Sequence, residues 1–101
     1  MVGKLFKVVI TRKALKRLVG IDDYYKKNAS PAAARKVREG LAKEVRSLEK
    51  LPESKPLLPT KKKANPPYRY SKKWSFRIVF QFFKKEDTVS VVDFLHDKEK
   101  Q

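Results

Sequence analysis

Tyr68-Arg69-Tyr70-Ser71, Phe76-Arg77-Ile78-Val79-Phe80-Gln81-Phe82-Phe83 and Val89-Ser90-Val91-Val92-Asp93-Phe94-Leu95 are three aromatic and β-branched runs in close succession. Such residues suit a pleated, half-buried surface, so each run reads as a strand. The stretches between them, Lys72-Lys73-Trp74-Ser75 and Lys84-Lys85-Glu86-Asp87, are short and polar, which predicts an antiparallel meander. In the middle run, alternation puts Phe76, Ile78, Phe80 and Phe82 on one face and Arg77 and Gln81 on the other. The aromatic face needs a cover, and the rest of the chain must supply it.

Working towards the N-terminus, Pro52 to Pro67 contains five prolines, at 52, 56, 59, 66 and 67, around the run Lys61-Lys62-Lys63. Neither a helix nor a central strand persists through such spacing, and the segment is expected to be a long loop. Before it lie two helical patterns. Ala14, Leu15, Leu18, Ile21 and Tyr25 share one face of a helix from about Arg12 to Lys27, capped by Thr11. Ser30 and Pro31 are a cap and a first helical residue, opening a second helix to about Lys50 with Ala33, Val37, Leu41, Val45 and Leu48 on its apolar face. So short a link predicts an antiparallel helical hairpin. Leu5-Phe6-Lys7-Val8-Val9-Ile10 reads as one more strand. The fold class is therefore α+β: a βααβββ chain, with the hairpin packed on one face of a small, mainly antiparallel sheet.

A chain of 101 residues, 41% hydrophobic, builds one core, so residues 1–101 are read as a single domain. The absence of cysteine removes disulfides, thiolate catalysis and cysteine-based metal sites. One histidine and three glycines leave neither a histidine metal cluster nor a glycine-rich phosphate loop, so no metal or cofactor is expected. No run approaches the roughly 18 apolar residues of a membrane span, and Met1-Val2-Gly3-Lys4 leads into a strand instead of a signal-peptide core. The expected address is cytoplasmic, with no membrane partner.

Against 11 acidic residues stand 26 lysines and arginines, a net charge of +15. Such an excess bears on partners and not on fold. From Ser54 to Lys85 there are ten basic residues and no acidic one. There Lys61, Lys62, Lys63, Lys72 and Lys73 mix with Tyr68, Tyr70 and Trp74, a composition suited to binding RNA or an acidic partner by phosphate neutralisation and base stacking. Arg77, inside an apolar strand, must either pair with a carboxylate such as Asp93 or stand beside Arg69 of the neighbouring strand, where two guanidinium groups could clamp a phosphate. His96, ending the last strand, is the one side chain with an unperturbed pKa near neutrality and a candidate general acid or base.

In this order the elements resemble the RelE/ParE superfamily of bacterial type II toxin-antitoxin toxins, also known as plasmid stabilisation proteins. The resemblance runs through Ile21-Asp22-Asp23-Tyr24-Tyr25, Ser30-Pro31-Ala32-Ala33-Ala34 and Val45-Arg46-Ser47-Leu48-Glu49-Lys50-Leu51-Pro52. Its most specific part is Tyr68-Arg69-Tyr70, Phe76-Arg77-Ile78-Val79-Phe80 and Val91-Val92-Asp93-Phe94-Leu95-His96-Asp97. It implies a growth-arresting toxin whose partner is an antitoxin with a flexible acidic segment. It also implies one of two targets. RelE-like members cleave mRNA on the ribosome, and by position Arg77, Arg69, and His96 or Lys98 would be their catalytic groups, although Ser71 stands where a second lysine is expected. ParE-like members trap DNA gyrase and share the long helical hairpin, the Ser-Pro-Ala-Ala-Ala helix start and the Leu-His pair closing the last strand. The helices favour the gyrase reading slightly. A non-toxic basic nucleic-acid-binding module is the third possibility.

Overall fold

A computed structural model of the protein describes residues 4–59 and 63–96. Strand β1 (Lys7–Ile10) is followed by helices α1 (Arg12–Asn28) and α2 (Pro31–Ser47), and then by strands β2 (Tyr68–Lys73), β3 (Phe76–Phe83) and β4 (Thr88–His96). The expected βααβββ order holds, and the strands form one sheet ordered β1-β4-β3-β2. The last three are antiparallel neighbours, whereas β1 pairs with β4 in parallel, Lys7 opposite Thr88 through Ile10 opposite Val91.

Both helices start where the sequence places them. Thr11 Oγ1 accepts from the Ala14 amide at 3.2 Å, and Ser30 Oγ accepts from the Ala33 amide at 3.0 Å, with Pro31 in the first turn of α2. Each cap satisfies one of the amides that have no carbonyl partner inside the helix. The second helix ends at Ser47, earlier than the apolar spacing suggests, because its last turn tightens: Leu48, Glu49 and Lys50 donate to Val45, Arg46 and Ser47. The Glu49 carbonyl then accepts from the Phe6 amide, which ties the chain before β1 to the end of α2.

The core lies between sheet and hairpin. Phe76, Ile78, Phe80 and Phe82 of β3 pack there with Val89, Val91 and Phe94 of β4, Ala14 of α1, and Leu41, Val45 and Leu48. Alternation in β3 thus works as the sequence predicts. On α2, Ala34 is buried and Ala33 only partly so, one position from the expected register. Between α1 and α2, Asp22 receives Arg38 at 2.7 Å and Lys26 at 2.9 Å. The hydrogen bond from Lys26 holds the Asp22 carboxyl below its ordinary value, aided by the charges of Lys26 and Arg38 and opposed by partial burial.

Two departures from the sequence reading shape the surface. The Pro52–Pro67 segment is not structureless where it is described: Pro52–Ser54 forms a 3₁₀ turn, and Leu57 bridges to Arg69. The Leu58 amide donates to the Tyr68 carbonyl and the Tyr70 amide to the Pro56 carbonyl, so this stretch covers half of the β2 edge. Strand β2 also runs two residues further than expected, to Lys73, leaving Trp74 and Ser75 as the turn, with Trp74 at φ 53°. In β4, Val79 faces Asp93 and Phe80 faces Val91, so Val92 is the extra residue of a β-bulge.

Candidate functional site

Cross-strand partners lie on the same face of a sheet, so register decides which candidate residues can meet. Arg69 is opposite Phe80, a fully buried core residue, and therefore sits on the helix side. Arg77 is opposite Lys72 and Leu95, on the other side. The pair expected to clamp a phosphate is thus split across the sheet. Arg69 Nη1 donates to the Lys55 carbonyl at 2.7 Å and to the Glu53 carbonyl at 3.3 Å, anchoring the proline-rich segment. The Arg77 guanidinium lies 5.1 Å from the Tyr70 ring centroid, within cation–π range.

Tyr68 and Tyr70 share the Arg77 face, being opposite Gln81 and Val79. That face is not bare: Val79 is 3% exposed, and Gln81 Nε2 donates to the Pro66 carbonyl at 2.9 Å, holding the end of the proline-rich segment against it. Lys73 and Trp74 belong elsewhere. A Cβ placed on Gly40 of α2 would meet the Trp74 ring at 2.1 Å, so the indole lies directly on the glycine. The Lys73 ammonium is 4.8 Å from that ring. Trp74 is thus a clasp between the β2–β3 turn and α2, with 47% of its surface exposed. Lys63 is exposed, whereas Lys61, Lys62 and Lys98 lie outside the described residues.

His96 ends β4 as expected, opposite Phe76 and on the helix side. Its ring meets that of Phe76 edge-on at 5.0 Å, and both line a cleft of about 1010 Å³ with Lys13, Lys16, Arg17, Tyr24 and Tyr25 of α1. Arg17 Nε bonds Asp93 Oδ1 at 3.2 Å, and Lys13 stands 3.8 Å from Oδ2. The same Oδ1 accepts from the Phe94 amide at 2.8 Å. Arg69, Arg77 and His96 therefore occupy three separate environments. The α1 residues of the cleft escaped the sequence reading. Lys13, Arg17, Gly20, Tyr24 and Asn28 form a second helical stripe beside the apolar one, and that spacing was the available signal.

Among the described residues no group of acidic, histidine or cysteine side chains could hold a metal, and no helix is long and apolar enough to cross a membrane. The chain's likenesses follow its architecture. A structure of the chromosomal ParDE toxin-antitoxin system from P. aeruginosa superposes with a TM-score of 0.74 at 20% identity, covering 91% of this chain and 96% of that one. The RelBE2 toxin-antitoxin complex of Mycobacterium tuberculosis gives 0.67 at 13% identity, with 95% of each chain covered. Free E. coli RelE toxin, as a mutant, gives 0.59 at 21%, covering 93% of this chain and 85% of that one. No curated protein matches the sequence. The profile of the ParE toxin of the type II toxin-antitoxin system parDE matches residues 8–101, nearly the full length, and the chain belongs to that family.

Proposed function

We propose that this toxin arrests growth by acting on DNA gyrase in the cytoplasm, and that a cognate antitoxin with a flexible acidic segment silences it. The observation that carries this reading is the dispersal of the ribonuclease candidates. Acid–base cleavage of RNA needs its cationic and proton-transferring groups within reach of one phosphate. Here Arg69 is bound to loop carbonyls on the helix side, Arg77 is on the opposite face, and His96 is in the α1 cleft. An inhibitor that works by binding needs no such convergence. The two 17-residue helices offer it a continuous exposed platform, with Leu15, Val19 and Tyr24 of α1 open to a partner. The +15 charge favours the acidic antitoxin segment.

Ribosome-dependent mRNA cleavage is the second reading, favoured by Lys72 and Arg77 beside Tyr68 and Tyr70 on one face. Induced expression in a bacterial host separates the two. The expected result is DNA breaks and filamentous cells with bulk mRNA intact. Codon-phased cuts in translated mRNA, lost in Arg77→Ala, would replace the gyrase reading with the nuclease one.

A further inference from the structure

The cleft between α1 and the end of β4 combines two features that neither target reading uses. Its floor is a chain of rings. Tyr24 meets Tyr25 edge-on at 5.4 Å, Tyr25 is 6.4 Å from Phe76, and Phe76 is 5.0 Å from His96. Its α1 wall is cationic, from Lys13, Lys16 and Arg17, and the bonds of Arg17 and Lys13 to Asp93 neutralise only part of that charge. Rings with accessible faces beside flexible ammonium groups are the chemistry of stacked bases and their phosphates. The outermost ring, Tyr24, is 59% exposed.

Gly20 adds an independent observation. It lies in the interior of α1, where glycine costs a helix about 1 kcal/mol relative to alanine. No neighbouring atom requires it, since an added Cβ would have nothing within 4 Å. Packing therefore does not explain the glycine, whereas access to the cleft it lines does.

We infer that this cleft binds a short single-stranded nucleic acid segment, with bases on the Tyr24–Tyr25–Phe76–His96 rings and phosphates on Lys13, Lys16 and Arg17. A volume near 1010 Å³ accommodates one or two nucleotides. The site lies away from the Arg77 face and stands whichever target the toxin has. A purely acidic peptide would satisfy the lysines but leave the rings without a partner.

The test is fluorescence anisotropy with 5′-fluorescein-labelled tetrathymidylate and tetrauridylate, titrated with the full chain across a salt series. Binding of either supports the proposal, and the stronger of the two identifies DNA or RNA as the source. Tyr24→Ala should weaken binding about tenfold or more. Replacing Lys13 and Lys16 together by alanine should reduce the salt slope by about 1 to 1.5. Gly20→Gln, which suits the helix better than glycine, should obstruct the cleft and lower affinity while the circular dichroism spectrum is unchanged. A paired change on α2, Lys36→Ala with Lys43→Ala, serves as the charge control. The proposal is overturned if neither tetranucleotide binds, including the case in which only oligoglutamate occupies the cleft. It is also overturned if Tyr24→Ala and Gly20→Gln bind like the unaltered chain, because attraction is then diffuse charge.

Discussion

Gly20 and Gly40 each sit inside a 17-residue helix, yet replacing them with alanine should change stability in opposite directions. The helix term is shared: alanine gains about 0.8–1 kcal/mol over glycine in a helix interior. At Gly20 nothing offsets it, because no atom lies within 4 Å of the new methyl group. At Gly40 the methyl would stand 2.1 Å from Trp74 Cη2 and 2.6 Å from Cζ3, so the indole must leave. With 47% of Trp74 exposed, about half its surface is covered. Taking roughly 250 Å² for the side chain and about 25 cal/mol per Å², the covered half contributes about 3 kcal/mol. Full displacement minus the helix gain is a loss of about 2 kcal/mol, and partial displacement a loss of about 1. Thermal unfolding should therefore show Gly20→Ala melting about 4–8 °C higher and Gly40→Ala lower by at least as much. In a Trp74→Ala background, Gly40→Ala should become stabilising. If Gly40→Ala stabilises the otherwise unaltered protein as much as Gly20→Ala does, the indole does not rest on α2 and the clasp is refuted.

Three further outcomes are expected. Leu51 is 73% exposed at φ 46°, a left-handed conformation costing about 1–2 kcal/mol for a residue with a Cβ, so Leu51→Gly should raise stability by about 0.5 kcal/mol after glycine's entropic cost; a fall in the unfolding midpoint counts against it. Asp22 has its folded-state pKa lowered, so its contribution is present above the unfolded carboxylate value of about 3.9 and is lost as pH falls through the folded value. Denaturant titrations should find Asp22→Asn less stable near pH 6, with the gap closing below about pH 4; a gap independent of pH would show that charge is not its cause. Arg69→Ala should release the proline-rich segment, costing about 1–3 kcal/mol locally. Hydrogen exchange should then quicken at the Leu58 and Tyr70 amides and leave the β3–β4 ladder protected, and unchanged exchange at both amides would refute the anchoring role.

The meander and the hairpin were legible because their periods are unambiguous: Phe76, Ile78, Phe80 and Phe82 alternate strictly, and Thr11, Ser30 and Pro31 mark helix starts by their own chemistry. The parallel pairing of β1 was not legible, since four residues, Lys7–Ile10, carry no signal for their partner. The separation of Arg69 from Arg77 was available in principle. A hairpin turn of two or four residues pairs odd-numbered positions of one strand with even-numbered positions of the next, so two odd-numbered arginines fall on opposite faces. The aromatic cleft was hidden because α1, β3 and β4 each contribute only part of it, and nothing local links Tyr24 to His96. Trp74 was misleading for a related reason: beside lysines it resembles a stacking residue, and only the three-dimensional position of Gly40 shows its packing role.

Charge illustrates the same limit and bears on which partner the toxin meets. The ten cations from Ser54 to Lys85 read in one dimension as a single basic patch. Folding divides them. Lys55 lies 4.0 Å from Glu44, Arg69 bonds to loop carbonyls, Lys73 is over the Trp74 ring, Lys84 stands 4.0 Å from Glu53, and Lys72 with Arg77 faces the other side of the sheet. A partner reaching one face therefore meets only part of this charge, and within a Debye length of about 8 Å little of the remainder is felt through solvent. On α1, by contrast, three cations line one cleft within five residues of sequence, next to a chain of rings. Specific recognition by this fold therefore depends on which face a cation occupies, whereas the total of +15 governs the rate at which acidic partners arrive.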